Sequence, residues 1–441
     1  MKDRFLNLVT VTNRSDPDSL HYLSGYYKST DLRDTIASLL RSSIDARQIE
    51  NKKVLLKPNW VKHSIAAKDE VCLRTNDYFT IAVLTAVLEM KPLEVVIGDA
   101  PIQGGIWDRI IAREFRDEII KLSNWYAVPI NIKDFRRRTY SISENKPLSE
   151  IRPLDQYTIF DLGEDSLLEP ITKPGRSRFR VTNYNPDRMS LAHAPGTHKY
   201  CIAKDLFDAD IVFSIPKIKT HQKTGITGAL KNIVGVNGDK DFLPHHRMGG
   251  TVHGGDCYPG SSVLRYWSEI MLDKANQKQG SSDFWLWQKF SSILWRISLP
   301  GPEHNIDAGW YGNDTTWRMV MDLNKIATYG RIDGTLSAKP QRQIFSICDG
   351  IIGGQGDGPL NPDPLPLGIV SATNDSLTND IAMAILMNLS PIKIPLLNFN
   401  NSPLDCDIRL NSNKINLAEL KQLSINTRPP KGWIRHFEAE Q

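Results

Sequence analysis

Cysteine is scarce in this chain, with five among 441 residues. Cys72, Cys201, Cys257, Cys348 and Cys406 lie far apart, their number is odd, and no CxxC pair occurs. A disulfide framework, a cysteine zinc site and a ferredoxin-type iron–sulfur cluster are therefore not expected. Long apolar runs are missing as well. No stretch reaches the roughly 18–20 apolar residues of a membrane span, and the opening MKDRFLNLVTVTNRSD lacks the apolar core of a signal peptide. The expectation is a soluble, cytoplasmic protein without a membrane span. Charge of one sign is also not in excess. A net charge of +4 argues against a broad basic surface for nucleic acid, and Lys52-Lys53 and Arg136-Arg137-Arg138 read as solvated patches.

What is present is an ordinary packed composition, 40% hydrophobic and 24% charged. At roughly 100–200 residues per domain the length allows two to four domains. Short β-rich runs alternate with helical patterns. Val54-Leu55-Leu56, Glu94–Ile97, Ala209–Ile215, Ile344–Ile347 and Leu367–Ala372 read as buried strands; Thr80–Met90 and Asn379–Met387 read as helices. This alternation predicts an α/β fold with a mostly parallel sheet flanked by helices. Two lobes are expected: 1–216 as an N-terminal α/β lobe and 340–410 as a segment returning to the body. Between them, 217–339 carries the site and a helical, Trp-rich insertion; 411–441 reads as a peripheral tail or a short docked helix. Six of the ten tryptophans fall between Ser261 and Trp317, and FWLWQKFSSILWRISL reads as an amphipathic helix. It packs on the body, forms a dimer contact or, with only Lys289 and Arg296 for positive charge, lies on a membrane surface.

Ligands of such sheets bind beyond the carboxyl ends of the strands. Four turns there become candidate site loops: KPNW with Lys57 and Asn59, GDAPIQGG with Asp99, PKIKTHQKTG, and DGIIGGQGDGP with Gly356 and Asp357. The richest stretch is 217–257, which holds four histidines, five lysines and eight glycines. A helix from about Thr220 would place Thr220, Thr224, Thr227 and Lys231 within an arc of about 60°, with Lys217 and Lys219 at its entry drawing an anion to the first amides. Gly225 and Gly228 would then allow close backbone approach. A surface helix with solvated Thr and Lys is the plainer alternative. Lys231 followed by Asn232, without GxxxxGK[ST] spacing, excludes a Walker A loop.

His221 is the leading general acid/base, because an ordinary imidazole titrates near neutrality. Lys231 is read as an electrostatic clamp, a second base or a covalent anchor. Thr224, Thr227 and Asn232 would hold substrate oxygens. His245 or His246 would be a second proton-transfer group or a metal ligand, with His245, His246 and His253 as the candidate metal set. Asp99 would orient a histidine or bind a hydroxyl; Asp357 sits among glycines that allow backbone approach. Asp380 reads most simply as an N-cap or first-turn acid.

With KPNW, GDAP, ADIVFSIPKIKTHQKTGITGALKNIVG and DGIIGGQGDGPL in hand, the chain resembles the bacterial domain-of-unknown-function family 362 over about Lys53 to Pro395. That family name implies no activity. The chain is also similar to the nickel-pincer lactate racemase family, where a lysine holds the cofactor and a later histidine ligates nickel. His221, Lys231 and His246 stand here at comparable spacing, while the TRPxP motif has no counterpart beyond Arg74-Thr75. Three functions follow as expectations. The first is an enzyme acting on a small polar, anionic metabolite by His/Lys acid–base chemistry, isomerase-like or redox. The second is a pincer-type racemase with the cofactor on Lys231. The third is a non-enzymatic binding or assembly protein, a homo-oligomer included, using the Trp-rich segment. The cofactor stays open between a divalent metal, a nickel-pincer group and none, with no iron–sulfur cluster.

Overall fold

The computed structural model describes residues 4–11, 19–141, 144–149, 152–174, 178–298, 308–398 and 406–438. Its frame is a 12-stranded mixed sheet. In chain order the strands are β1 (Phe5–Thr10), β2 (Lys53–Pro58), β3 (Glu94–Asp99), β4 (Ile130–Asp134), β5 (Ile211–Ile215), β6 (Lys217–His221), β7 (Gly225–Thr227), β8 (Gln343–Gln355), β9 (Asp363–Leu365), β10 (Ile369–Thr373), β11 (Asp407–Leu410) and β12 (Asn413–Lys414). Across the sheet they run β12-β11-β1-β10-β8-β5-β2-β3-β4, with β6 and β9 attached to β8 and β7 to β6. The block β8-β5-β2-β3-β4 is entirely parallel. Antiparallel pairs gather around β10, β7, β9 and β12.

The parallel block is buried on both faces, which its near-continuous apolar strands require. Side chains alternate along each strand. Val54, Leu56, Ile211, Phe213 and Ile215 enter one apolar cluster, while Leu55 and Val212 enter the other. The first cluster is covered by α1 (Thr30–Ser43), α2 (Asp77–Leu88) and α3 (Arg113–Tyr126). The second is covered by α4 (Ala229–Asn232), α7 (Thr316–Tyr329) and α8 (Ser376–Leu386). Asn76 caps α2 through its side chain, and Asp375 caps α8. The helical stretch Asp69–Leu88 is apolar enough by mean hydropathy to cross a membrane, but 78% of it is buried inside this body.

Two helices, α5 (Val263–Gln277) and α6 (Asp283–Ile297), pack against each other as an antiparallel hairpin. This is the Trp-rich insertion. Phe284 and Ser291 are buried in it, while Trp267, Trp285, Leu286, Phe290 and Ile297 stay largely exposed.

The sequence reading fails at two places. First, 217–228 forms a β-hairpin: Lys219, Thr220 and His221 pair with Thr227, Ile226 and Gly225. Gly225 makes the reversal with φ +78°. Helix starts only at Ala229, where the Asp380 carboxylate accepts the Ala229 and Leu230 amides at 2.6 and 3.0 Å. Asp380 thus caps a neighbouring helix rather than its own, and a Cβ on Gly228 would sit inside that carboxylate. Second, β8 runs straight through Asp349-Gly350-Ile351-Ile352-Gly353-Gly354, so the glycine-rich segment is mostly strand. Within the segment 411–441, Trp433 docks on the body: it is 1% exposed and its indole N–H donates to the Gln222 carbonyl at 2.6 Å.

Lys217 and Asp349 form an ion pair at 2.9 Å with both side chains fully buried, and Tyr27 donates to the same carboxylate at 2.6 Å. Asp349→Ala leaves that ammonium buried without its counter-charge, a loss of about 3–5 kcal/mol. Urea unfolding of the variant measures it; an unchanged midpoint would show that the pair contributes nothing.

Candidate active site

Beyond the carboxyl ends of β2, β3 and β5 lies a cavity of about 1430 Å³. Its floor is set by one buried network. Lys57 Nζ donates to Asp99 Oδ1 at 2.8 Å, to the Pro58 carbonyl at 3.0 Å and to Asn232 Oδ1 at 3.0 Å. Asp99 also accepts the amides of Trp60 at 2.7 Å and Ala100 at 2.9 Å. Asn232 donates to the Lys57 carbonyl and to Ser214 Oγ at 2.8 and 2.9 Å. Three strand ends and α4 are thereby locked together.

Among the described residues, the cavity wall carries eight cationic side chains and only two carboxylates, Asp99 and Asp357. Asp99 is matched by Lys57, and Asp357 by Lys431 at 3.1 Å. Lys219, Lys223, Lys231 and Lys240 have no carboxylate partner among the described ion pairs. Burial, reinforced by the ammonium groups of Lys240 and Lys57, pulls Lys231 down to about 7. Burial likewise brings Lys219 to about 7 and Lys240 to about 8. Lys219 is held by Asn59 Oδ1 at 3.1 Å and by the Leu73 carbonyl; Lys240 donates to the Ala100 carbonyl at 2.9 Å. Lys223 Nζ and Thr227 Oγ1 are buried at the cavity and find no hydrogen-bond partner among the described residues. Native proteins rarely leave such atoms unsatisfied. Orphaned donors beside surplus cations are what an absent anion would explain.

Two histidines line this wall, His221 and His245. His221 Nδ1 accepts the backbone amides of Lys223 at 3.0 Å and Thr224 at 3.3 Å, so its proton belongs on Nε2. Burial first, then the Lys231 charge, pushes His221 well below its usual range and keeps it neutral. His245 has the opposite arrangement. Its Nδ1 donates to the Leu243 carbonyl at 2.7 Å, which leaves Nε2 as an acceptor. One ring therefore offers an N–H and the other a lone pair. Trp285 from α6, Trp310, Tyr311 and Tyr184 supply aromatic surface.

Of the residues singled out from sequence, Lys57, Asn59, Asp99, Lys219, His221, Thr227, Lys231, Asn232 and Asp357 line the cavity together. Lys217, Thr224, Gly356, His246 and His253 do not. Lys217 points back along β8 to Asp349, and Thr224 Oγ1 is spent on the Ile226 carbonyl. Gly356 sits at φ +77° beside Arg428. His246 is buried beside Cys257 and Glu269, and His253 is exposed, so the triad of His245, His246 and His253 does not converge. His246 is likewise not brought to Lys231's cavity, which removes the ligand pairing implied by the pincer resemblance. Sequence reasoning named His245 as an alternative second proton-transfer group, and His245 lines the cavity; it missed Lys240, and Tyr184, Trp310, Tyr311 and Arg435 from distant segments. Lys240 stood in the lysine-rich stretch; the others carried no local signal.

Residues 172–385 match the model of a family described as a domain of unknown function, DUF362. This supports the resemblance carried by the THQKTGITGALKN block, over a shorter span than the sequence motifs suggested; KPNW and GDAP lie outside it. A thylakoid-associated protein of Synechocystis sp. is 22% identical over 217 residues, 49% of this chain and 43% of that protein. The chain thus spans less than half the length of that curated relative. Among solved structures, a Thermotoga maritima protein is similar with a TM-score of 0.35 and 9% identity, over 81% of this chain and 58% of that one. The lactate racemase apoprotein from Thermoanaerobacterium thermosaccharolyticum is similar with a TM-score of 0.33 and 12% identity, over 80% of this chain and 55% of that one.

The cavity's charge makes a directional prediction. A probe anion that stays divalent across the window, such as malonate or sulfate, binds most tightly while Lys219, Lys231 and Lys240 are protonated, and its affinity falls as pH rises through about 7 to 8. Binding in that window takes up protons, which calorimetry in buffers of different ionisation heat detects. Lys231→Met weakens binding about tenfold or more, the scale of one charge-assisted hydrogen bond of about 1.5–3 kcal/mol. Affinity that is flat across this pH window would contradict the assignment.

Proposed function

We infer that the chain is an enzyme that moves protons on an organic substrate carrying at least two anionic groups. The observation that carries this reading is the pair of histidines with complementary tautomers in a lysine-lined cavity. Lys219, Lys223, Lys231 and Lys240 bind the anionic groups and, in a water-poor cavity, also stabilise negative charge that develops during reaction. Burial first, then the Lys231 and Lys223 charges, also holds His245 well below its usual range, so it takes a proton through Nε2 only when the substrate's anionic groups offset those charges. His221 donates from Nε2 to an oxygen, acting as a neutral imidazole because burial disfavours its charged form. A carbon acid beside a carboxylate or carbonyl is the natural substrate for such a pair, giving isomerase or epimerase chemistry. The cavity volume accommodates molecules well above the size of a three-carbon acid.

Lys231 also has the burial-lowered basicity of a nucleophilic amine. A cofactor anchored there would have to draw its other ligands from His221 or His245, since His246 lies elsewhere.

A second reading, assembly, rests on the outer face of the α5–α6 hairpin, where Trp267, Leu286, Phe290 and Ile297 are exposed. Contiguous apolar surface of this kind usually serves contact with another molecule. It is compatible with catalysis and predicts a homo-oligomer in sedimentation.

The catalytic reading is tested by proton exchange. A panel of hydroxy acids, keto acids and phosphorylated sugars is incubated in deuterated water and scanned by NMR for carbon-bound deuterium. A substrate found in this way should lose exchange by about 10²–10⁴-fold in His221→Ala and in His245→Ala. Exchange that persists at the wild-type rate in both variants would refute the assignment.

A further inference from the structure

His246, Cys257 and Glu269 converge in a second place, outside the cavity. Their candidate ligand atoms lie within 4.8 Å of one another. The three residues are 4%, 1% and 8% exposed. Each comes from a different element. His246 sits on the short strand His246–Arg247, which pairs with Phe179–Arg180. Cys257 closes the following glycine-rich loop: its amide donates to the Gly249 carbonyl at 3.1 Å, and Asp256 N donates to the Arg247 carbonyl at 3.1 Å. Glu269 projects from α5 and accepts the Gly249 amide at 3.0 Å. The chain doubles back so tightly here that a Cβ on Gly255 would run into the Gly249 carbonyl. The fold thus brings a sulfur, an imidazole and a carboxylate to one point from residues with no recognisable ligand spacing.

We propose that this cluster is a zinc-type divalent metal site, with His246, Cys257 and Glu269 as three ligands and water as the fourth. A thiolate selects against magnesium and calcium, and the S, N, O donor set suits zinc or its cobalt substitute. Bond lengths of about 2.3 Å to sulfur and about 2.0–2.1 Å to nitrogen and oxygen bring the donors to separations near 3.5 Å. Small side-chain rotations reach that from the observed spread. The thiol releases its proton to solvent as the metal–sulfur bond forms, and the thiolate and carboxylate together balance the ion's double charge. The site is structural in position. It fastens α5, and with it the hairpin that brings Trp285 to the cavity, to the loop that follows His245.

The experiment uses the full chain, freed of metal by dialysis against a chelator and titrated with cobalt(II). The expected result is one cobalt per chain, a near-ultraviolet thiolate-to-cobalt charge-transfer band and visible bands of tetrahedral intensity. Zinc should displace the cobalt and raise Tm. Cys257→Ser abolishes the charge-transfer band, and Glu269→Gln weakens cobalt binding by tenfold or more. His253→Ala, on the exposed part of the same loop, leaves the spectrum unchanged. Circular dichroism verifies that each variant is folded. The proposal is overturned if folded wild-type protein shows no thiolate charge-transfer band with cobalt, an outcome that needs no variant. It is equally overturned if Cys257→Ser keeps the wild-type spectrum. The result stands or falls independently of the acid–base reading of the cavity.

Discussion

The buried ion pair between Lys57 and Asp99 is the contact on which the rest of the site depends. Two charges out of water are tolerable only if every proton and lone pair near them finds a partner. Here they do. The ammonium donates to Asp99, to the Pro58 carbonyl and to Asn232; the carboxylate accepts from Lys57 and from the Trp60 and Ala100 amides. These partners belong to β2, β3, the turns after them and α4, so satisfying one ion pair also fixes how the strand ends meet the helix that carries Lys231. The same requirement explains Gly235, where a Cβ would fall on Asp99 and Lys57.

Around this neutralised centre Lys219, Lys223, Lys231 and Lys240 have no carboxylate partner among the described ion pairs. Lys219 and Lys231 hold their protons less tightly in the folded chain than in the unfolded one. For a base shifted in this direction the unfolded state binds more protons, so the folded cavity is disfavoured at neutral pH and gains stability as pH rises toward the ordinary lysine range. A bound anion offsets that repulsion. Lys223 Nζ and Thr227 Oγ1, buried and unsatisfied among the described residues, express the same incompleteness in hydrogen bonds. The histidines are oriented by backbone groups alone, His221 by two amides and His245 by a carbonyl, so their complementary tautomers do not depend on a ligand being present.

The Trp-rich hairpin links the two centres. Its inner edge brings Trp285 to the cavity wall, and Glu269 on α5 reaches the loop that carries His246 and Cys257. Arg180 and Asp273 join the same region through a buried pair at 2.8 Å. The hairpin is thus held to the body by polar contacts at its base, while much of its apolar surface faces outward.

Sequence by itself determined the parallel core and the polar residues of the cavity wall that stand at the strand ends. Alternation in Val54-Leu55-Leu56 and the apolar run before Pro216 are local patterns, and the strands they encode end where Lys57 and Asp99 stand. The block from Lys219 to Asn232 was legible as chemistry but not as shape. Threonine and lysine at helical spacing are also compatible with a hairpin, and the choice fell to Gly225's positive φ, to strand pairing with β8 and to the distant Asp380 that starts the helix at Ala229. Which histidine faces which partner was decided only in three dimensions. His245 and His246 are adjacent in sequence and sit in an extended segment, where successive side chains point to opposite sides, so one reaches the cavity and the other the cysteine and glutamate. Cys257 showed no ligand spacing because its partners come from a folded-back loop and a separate helix. Trp310 and Arg435 reached the wall through long-range packing, which no local pattern encodes.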